Sequence, residues 1–369
     1  MVISKKRKKQ FIWIAVCFGL FFIPLSLVAL EVGLRTYIHF KYGKPGRNYG
    51  IYQEDNELGA THRPNSYNTN SELNNFGLRT KEDVPDIKPA KSLRIYCSGG
   101  STTFCYNLET ENAWPSKLQN KLRAINGHSE DQVLNGGQIC FSISHEYTLG
   151  SRLIPQLKPD IVLIFTGVNE GMSAEQLNRK SSGYLDYLYQ EKKWGEVPKD
   201  LDQARFWKRN SAVVRLWDYY IKKWLEKTLT SKYKGPDTPS PEPVQVNQEQ
   251  QSSRNVIFHP YVMANFETCL KNYIDLIKSN GAIPIIIRYG DNGSKNWYME
   301  KGTRVWRDKA VEIGNRLGVT ICDASVIYEK LGNRNSYFIE SGIHVTDSGA
   351  EILAEELVKT ILKEAKKDN

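Results

Sequence analysis

The sequence predicts an α/β protein: a mainly parallel, five-stranded sheet covered by helices on both faces, behind one N-terminal transmembrane helix. Three observations point there. Short apolar runs alternate with segments of helical periodicity along most of the chain. One run, Ile161-Val162-Leu163-Ile164-Phe165, is continuously apolar, the pattern of a strand buried on both faces. A single uncharged stretch, Phe11 to Leu30, matches the hydrocarbon thickness of a bilayer. The chain has 369 residues, 40% hydrophobic and 25% charged, and a mean hydropathy of -0.49. These values exclude disorder, collagen, coiled coil and a multi-span transporter as whole-chain readings.

The elements follow in order. Lys5, Lys6, Arg7, Lys8 and Lys9 precede the apolar stretch and supply more than half of the net charge of +9. Positive charge before a span keeps the N-terminus cytoplasmic, so the rest of the chain is expected to be extracytoplasmic. The folded part has no comparable basic cluster, so nucleic acid is not an expected partner. Gly19 and Pro24 are tolerable in a membrane helix. A cleaved signal peptide needs a shorter core and a small-x-small site. Ser26-Leu27-Val28-Ala29-Leu30 offers no good one, so an uncleaved anchor is expected.

Residues 31–91 are polar and turn-rich, as at His62-Arg63-Pro64-Asn65-Ser66, and read as a stalk and entry segment. From residue 92 the α/β rhythm begins. Strands are expected at 93–97, 132–134, 161–165, 283–287 and 319–322. Helices are expected around Trp114, Leu118 and Leu122, then over 145–157, 261–279, 305–317 and 350–363. The rhythm breaks over 171–256. There Ser211 to Leu229 reads as an amphipathic helix and Pro236 to Ser253 as a linker. Trp194, Trp207, Trp217 and Trp224 in this insert are expected to pack on their own domain. A sugar-stacking lid, or docking on a bilayer through Lys208, Lys222, Lys223 and Lys227, are the other readings.

In such sheets chemistry collects at the carboxyl ends of the strands. The first strand ends in Gly99-Gly100-Ser101, which places a serine at a helix N-terminus. The second ends in Asn135-Gly136-Gly137, and the third in Gly167-Val168-Asn169-Glu170. Ser341-Gly342-Ile343-His344 stands just before the last helix. Each piece alone is weak. Together they form a nucleophile, two oxyanion donors and a base, the equipment for acyl transfer.

On these residues the chain resembles the SGNH hydrolases, a branch of the GDSL esterases and lipases, over about residues 92–169 and 257–365. It looks like the membrane-anchored bacterial branch, which places a segment such as Asn75-Phe76-Gly77-Leu78-Arg79 before the first strand. The resemblance implies a three-layer α/β/α sandwich of the flavodoxin-like kind. It also implies Ser101 as nucleophile, His344 as base, and Ser101, Gly137 and Asn169 as the oxyanion hole. It implies an esterase acting on O-acyl groups, acetyl foremost, of a cell-envelope or exported glycan. A lipid esterase or thioesterase, an O-acetyltransferase and a non-catalytic glycan binder on the same fold are the alternatives. No residue implies a metal or cofactor.

The chain departs from the family pattern at the acid. Ser341 stands where the family has Asp, the residue that orients the histidine. A backbone carbonyl, or the neighbouring Glu340 on a shifted loop, are candidate orienters, and a weak or inactive enzyme is the third reading. Glu170 replaces a second family Asp and reads as loop structure. Two positions usually occupied by glycine in the resembled pattern are Cys105 and Cys140. In an oxidising compartment these form a candidate disulfide across the site rim, unrelated buried thiols being the other reading. Cys97, Cys269 and Cys322 read as core residues.

Overall fold

A computed structural model describes residues 5–42, 47–68, 70–125, 127–170, 260–295, 302–339 and 341–365. The insert at 171–256, with its expected helix, tryptophans and linker, lies outside the described residues, as does Glu340. The described residues divide into two compact units, the N-terminal helix and everything from Arg47 onward.

The first unit is α1 (Lys5–Tyr42). Its stretch Phe18–Tyr37 has a mean hydropathy of 1.7 and is long enough to cross a bilayer. That stretch runs beyond Leu30 and takes in Glu31 and Arg35, which pair along the helix at 2.8 Å. Pairing one turn apart lowers the cost of carrying both charges on an otherwise apolar helix.

The second unit is built on a parallel sheet in the order β10-β9-β8-β6-β7. The strands are β6 (Arg94–Gly99), β7 (Gln132–Asn135), β8 (Ile161–Phe165), β9 (Ile283–Arg288) and β10 (Thr320–Asp323). Side chains alternate across it. Ile95, Cys97, Ile161, Leu163, Ile285 and Ile287 enter one core with Trp114, Leu118 and Leu122 of α3 (Trp114–Arg123). Leu353, Leu357 and Ile361 of α8 (Asp347–Ala365), which follows the short α7 (Ser325–Leu331), complete that layer. Tyr96, Val162, Ile164 and Ile286 face the other way, onto α4 (Ile143–Leu157), α5 (Pro260–Ser279) and α6 (Arg304–Arg316). Burial on both faces explains why β8 is apolar at every position instead of at every second one. The three layers and the five strands expected from sequence are present.

Residues 31–91 differ from a plain stalk. The first part continues α1 to Tyr42. From Asn48 the chain folds onto the α/β unit as three short strands, β1 (Asn48–Tyr49), β4 (Ser66–Tyr67) and β5 (Glu72–Leu73), and a hairpin of β2 (Tyr52–Asp55) and β3 (Gly59–His62). Leu58, Leu73 and Leu78 are buried there, and so is the guanidinium of Arg79, at 0% exposure. Polar sequence concealed this, because the segment is anchored by a few apolar residues and by backbone hydrogen bonds.

Candidate active site

The winding of the sheet reverses at β6, with β7 on one side and β8 on the other. Sites in open α/β sheets form at such a switch point. The three loops that leave the carboxyl ends of β6, β7 and β8 carry Ser101, Gly137 and Asn169.

Ser101 opens the single turn α2 (Ser101–Phe104) and is 9% exposed. As the first residue of a helix its N–H has no intrahelical acceptor. Close approach requires glycine beside it. A Cβ on Gly100 meets Asn169 Nδ2 at 2.7 Å, and one on Gly137 meets the Phe104 backbone nitrogen at 2.3 Å. The turn ends at Cys105 in the left-handed conformation (φ 59°), and Cys140 is also left-handed (φ 66°). That geometry explains why a glycine is the easy choice at both positions.

His344 comes from a tight turn before α8. Gly342 N–H donates to Ile339 O at 2.8 Å, Ile339 N–H donates to His344 O at 2.9 Å, and Asn292 N–H ties the turn to β9's loop through Gly342 O at 2.9 Å. The turn delivers the imidazole to Ser101, with Ser101 Oγ 2.8 Å from His344 Nε2. On the other side Ser341 Oγ lies 2.8 Å from His344 Nδ1. Both contacts are satisfied when Nδ1–H donates to Ser341 and Nε2 accepts from the Ser101 hydroxyl, the tautomer that a general base at Ser101 needs. Ser341 itself is exposed, while His344 is 9% exposed. Burial without a counter-charge pushes the imidazole down from 6.5 to about 4. Tyr106 packs perpendicular to the same ring, centroids 4.6 Å apart.

Asn169 is buried and donates one Nδ2 proton to Phe141 O at 2.7 Å. The Nδ2 nitrogen lies close to Gly100, next to the nucleophile turn, and has a second proton to donate. Behind it Glu170 Oε1 accepts from Ile143 N–H at 2.8 Å, bracing the start of α4. Glu146 nearby is held well above the ordinary carboxylate value by burial, with the Glu170 charge adding to it.

Two expectations are corrected. The Gly137 N–H is engaged by Asn135 Oδ1 at 3.0 Å, so it is not presented as an open oxyanion donor. The Asn135 side chain folds back over its own turn, as Asx residues do after strands. Gly137 is needed here for packing against α2. The Cys105–Cys140 disulfide is not formed, and both are free thiols. Cys105 turns into the core, with Sγ 3.3 Å from Thr102 O, while Cys140 is half-buried.

Arg79, in the segment before the first strand, has a structural role that its sequence position does not announce. Its guanidinium bonds the carbonyls of Phe104, Cys105 (2.8 Å), Leu108 (2.5 Å) and Asn70 (2.9 Å) and lies over the Phe104 ring at 4.5 Å. It thereby holds the loop that follows the nucleophile. His62, at 4% exposure, packs on Phe104 with centroids 4.9 Å apart. Burial and the nearby Arg79 charge push it down from 6.5 to about 3. No local pattern marks either residue, because their partners are distant in sequence. Tyr106 is likewise unmarked, its partner His344 lying far along the chain.

No protein-family model matches the chain, and no curated protein does. Among solved structures it is similar to the lipase/acylhydrolase of Enterococcus faecalis, at 16% identity over 73% of this chain and 95% of that one, TM-score 0.42. It is similar to the acetylxylan esterase Axe2 of Geobacillus stearothermophilus, at 13% identity over 74% and 95%, TM-score 0.43. The psychrotrophic esterase EstA of a Pseudoalteromonas species matches at 11% identity over 74% and 98%, TM-score 0.42.

Proposed function

We propose that the protein is a membrane-anchored serine esterase of the SGNH type. It removes O-acyl groups, acetyl foremost, from a cell-envelope or exported glycan on the extracytoplasmic side. One observation carries the reading: the hydrogen-bonded chain Ser101–His344–Ser341, each link 2.8 Å, with the Asn169 amide beside the nucleophile turn. A retained binding fold has no need of a serine hydroxyl aligned on a buried imidazole, so catalysis is favoured over a glycan binder.

The steps follow from the geometry. His344 Nε2 takes the hydroxyl proton as Ser101 Oγ attacks the ester carbonyl. The Ser101 N–H and the second Nδ2 proton of Asn169 meet the developing oxyanion. His344 returns its proton to the departing alcohol, then activates water to release the acyl group. In the reacting tautomer Ser341 accepts from Nδ1–H, which holds the ring in place and leaves Nε2 free to accept. It is a neutral orienter, and its exposure lets water back the imidazolium where the family uses a carboxylate. The extracytoplasmic placement rests on the basic run before the apolar stretch.

The test is hydrolysis of p-nitrophenyl acetate by the full-length protein in detergent. Ser101→Ala and His344→Ala are each expected to lower kcat about 10³-fold or more. Activity that survives both substitutions overturns the reading.

A further inference from the structure

The base that takes the serine proton gives it back to the departing alcohol, so the alcohol side of an ester at Ser101 lies against His344. Besides the contacts to Ser101 and Ser341, that imidazole packs against the ring of Tyr106, at 4.6 Å and 87°. Tyr106 is 40% exposed. Among the described residues from Arg47 onward, the other exposed large apolar side chains are Ile87 and Leu331. Solvent exposure of an aromatic ring at this point is therefore a local feature of the site and not of the surface in general.

The backbone that carries the ring is also held in place. Asn70 Nδ2 donates to Tyr106 O at 3.1 Å. Arg79 fixes the carbonyls of Cys105 and Leu108 on either side, at 2.8 and 2.5 Å. Asn107 Nδ2 donates to Val345 O at 2.9 Å, which joins this loop to the one carrying His344. A ring ordered before substrate arrives loses little entropy on binding. Asn107, which follows Tyr106, and Glu109, three positions on, are polar. An isolated aromatic face with hydrogen-bonding neighbours suits the C–H face of a sugar ring, whereas an alkyl chain requires contiguous apolar surface.

Resting on the esterase reading, we propose that Tyr106 is the platform for the leaving alcohol, and that this alcohol is a pyranose whose apolar face stacks on the exposed ring. The acyl carbonyl then reaches Ser101 while the departing sugar oxygen stays against His344. Tyr106 thus selects sugar esters over esters of small open-chain alcohols.

The experiment compares acetate release from an O-acetylated glucose and from ethyl acetate, using the full-length chain in detergent. Tyr106→Ala is expected to lower kcat/KM on the sugar ester about ten-fold, mainly through KM, with a much smaller fall on ethyl acetate. Tyr106→Trp is expected to keep the sugar preference. Equal losses on both esters show that Tyr106 only positions His344, and overturn the proposal, as does no loss. A second readout separates this from failure of the esterase reading. In the Ser101→Ala protein, saturation transfer by NMR to the glucose C–H protons is expected, and Tyr106→Ala is expected to remove it. No transfer to the sugar overturns the platform whether or not the wild type hydrolyses esters.

Discussion

Replacing Ser341 by Asp puts a carboxylate where a neutral hydroxyl now lies 2.8 Å from His344 Nδ1. Two unit charges about 4 Å apart at an effective dielectric of about 20 attract by about 4 kcal/mol. Residue 341 is exposed, so water and salt screen part of this, and about 1–3 kcal/mol remains. That free energy stabilises the imidazolium, which raises the His344 value from about 4 by about one to two units. The same charge stabilises the transition state, in which the imidazole has taken the serine proton, so kcat rises about 10–100-fold. The sign follows from the role of a base. Wild-type His344 stays neutral and able to accept a proton down to about pH 4, so the acid limb of kcat/KM falls there. In Ser341→Asp the limb moves toward neutrality while the plateau rises. The assay is the pH profile of p-nitrophenyl acetate hydrolysis for wild type, Ser341→Asp and Ser341→Ala. The alanine variant is expected to lose about ten-fold in kcat, the worth of one hydrogen bond. A wild-type limb near pH 6.5, or an aspartate variant with an unmoved limb and no gain in rate, refutes the reasoning.

Other outcomes follow from the same contacts. Between pH 6.5 and their folded values of about 3 and about 4, His62 and His344 bind more protons unfolded than folded. Stability therefore falls as pH falls through that window, each group adding a slope of about 1.4 kcal/mol per pH unit. Urea midpoints between pH 4 and 6 should show a flatter slope in His62→Phe, and an unchanged slope removes His62 from the explanation. Arg79→Met leaves four loop carbonyls without their donor and is expected to cost about 3 kcal/mol or more, with a fall in esterase rate. A urea midpoint equal to wild type counts against that role. Peptide mapping of non-reduced protein is expected to find Cys105 and Cys140 unlinked, and a linked peptide restores the bridge.

Much of the fold is legible in the sequence because its signals are local. The run from Ile161 to Phe165 is apolar on both faces since α3 and α8 cover one and α4 and α5 the other. Trp114, Leu118 and Leu122 recur at helical spacing because one stripe of α3 is buried. Ser101 and Asn169 stand out because short turns after strands leave few places for them. Contacts between distant parts of the chain are different. Asn135 captures the Gly137 N–H through a side-chain rotation that spacing cannot show. Arg79 reaches carbonyls of the loop after Ser101 from the entry segment, and Tyr106 meets His344 only when α2 and the final turn converge. Ser341 was visible as a departure. Its distance from Nδ1 required coordinates.

Fluorophosphonate labelling of the full-length protein, read by intact mass and peptide mapping, tests the paired serine and histidine most directly. One adduct is expected, on the peptide containing Ser101, absent in Ser101→Ala and greatly slowed in His344→Ala. Folded wild type that takes no adduct, or takes it on another serine, contradicts a nucleophile activated at the Ser101–His344 contact.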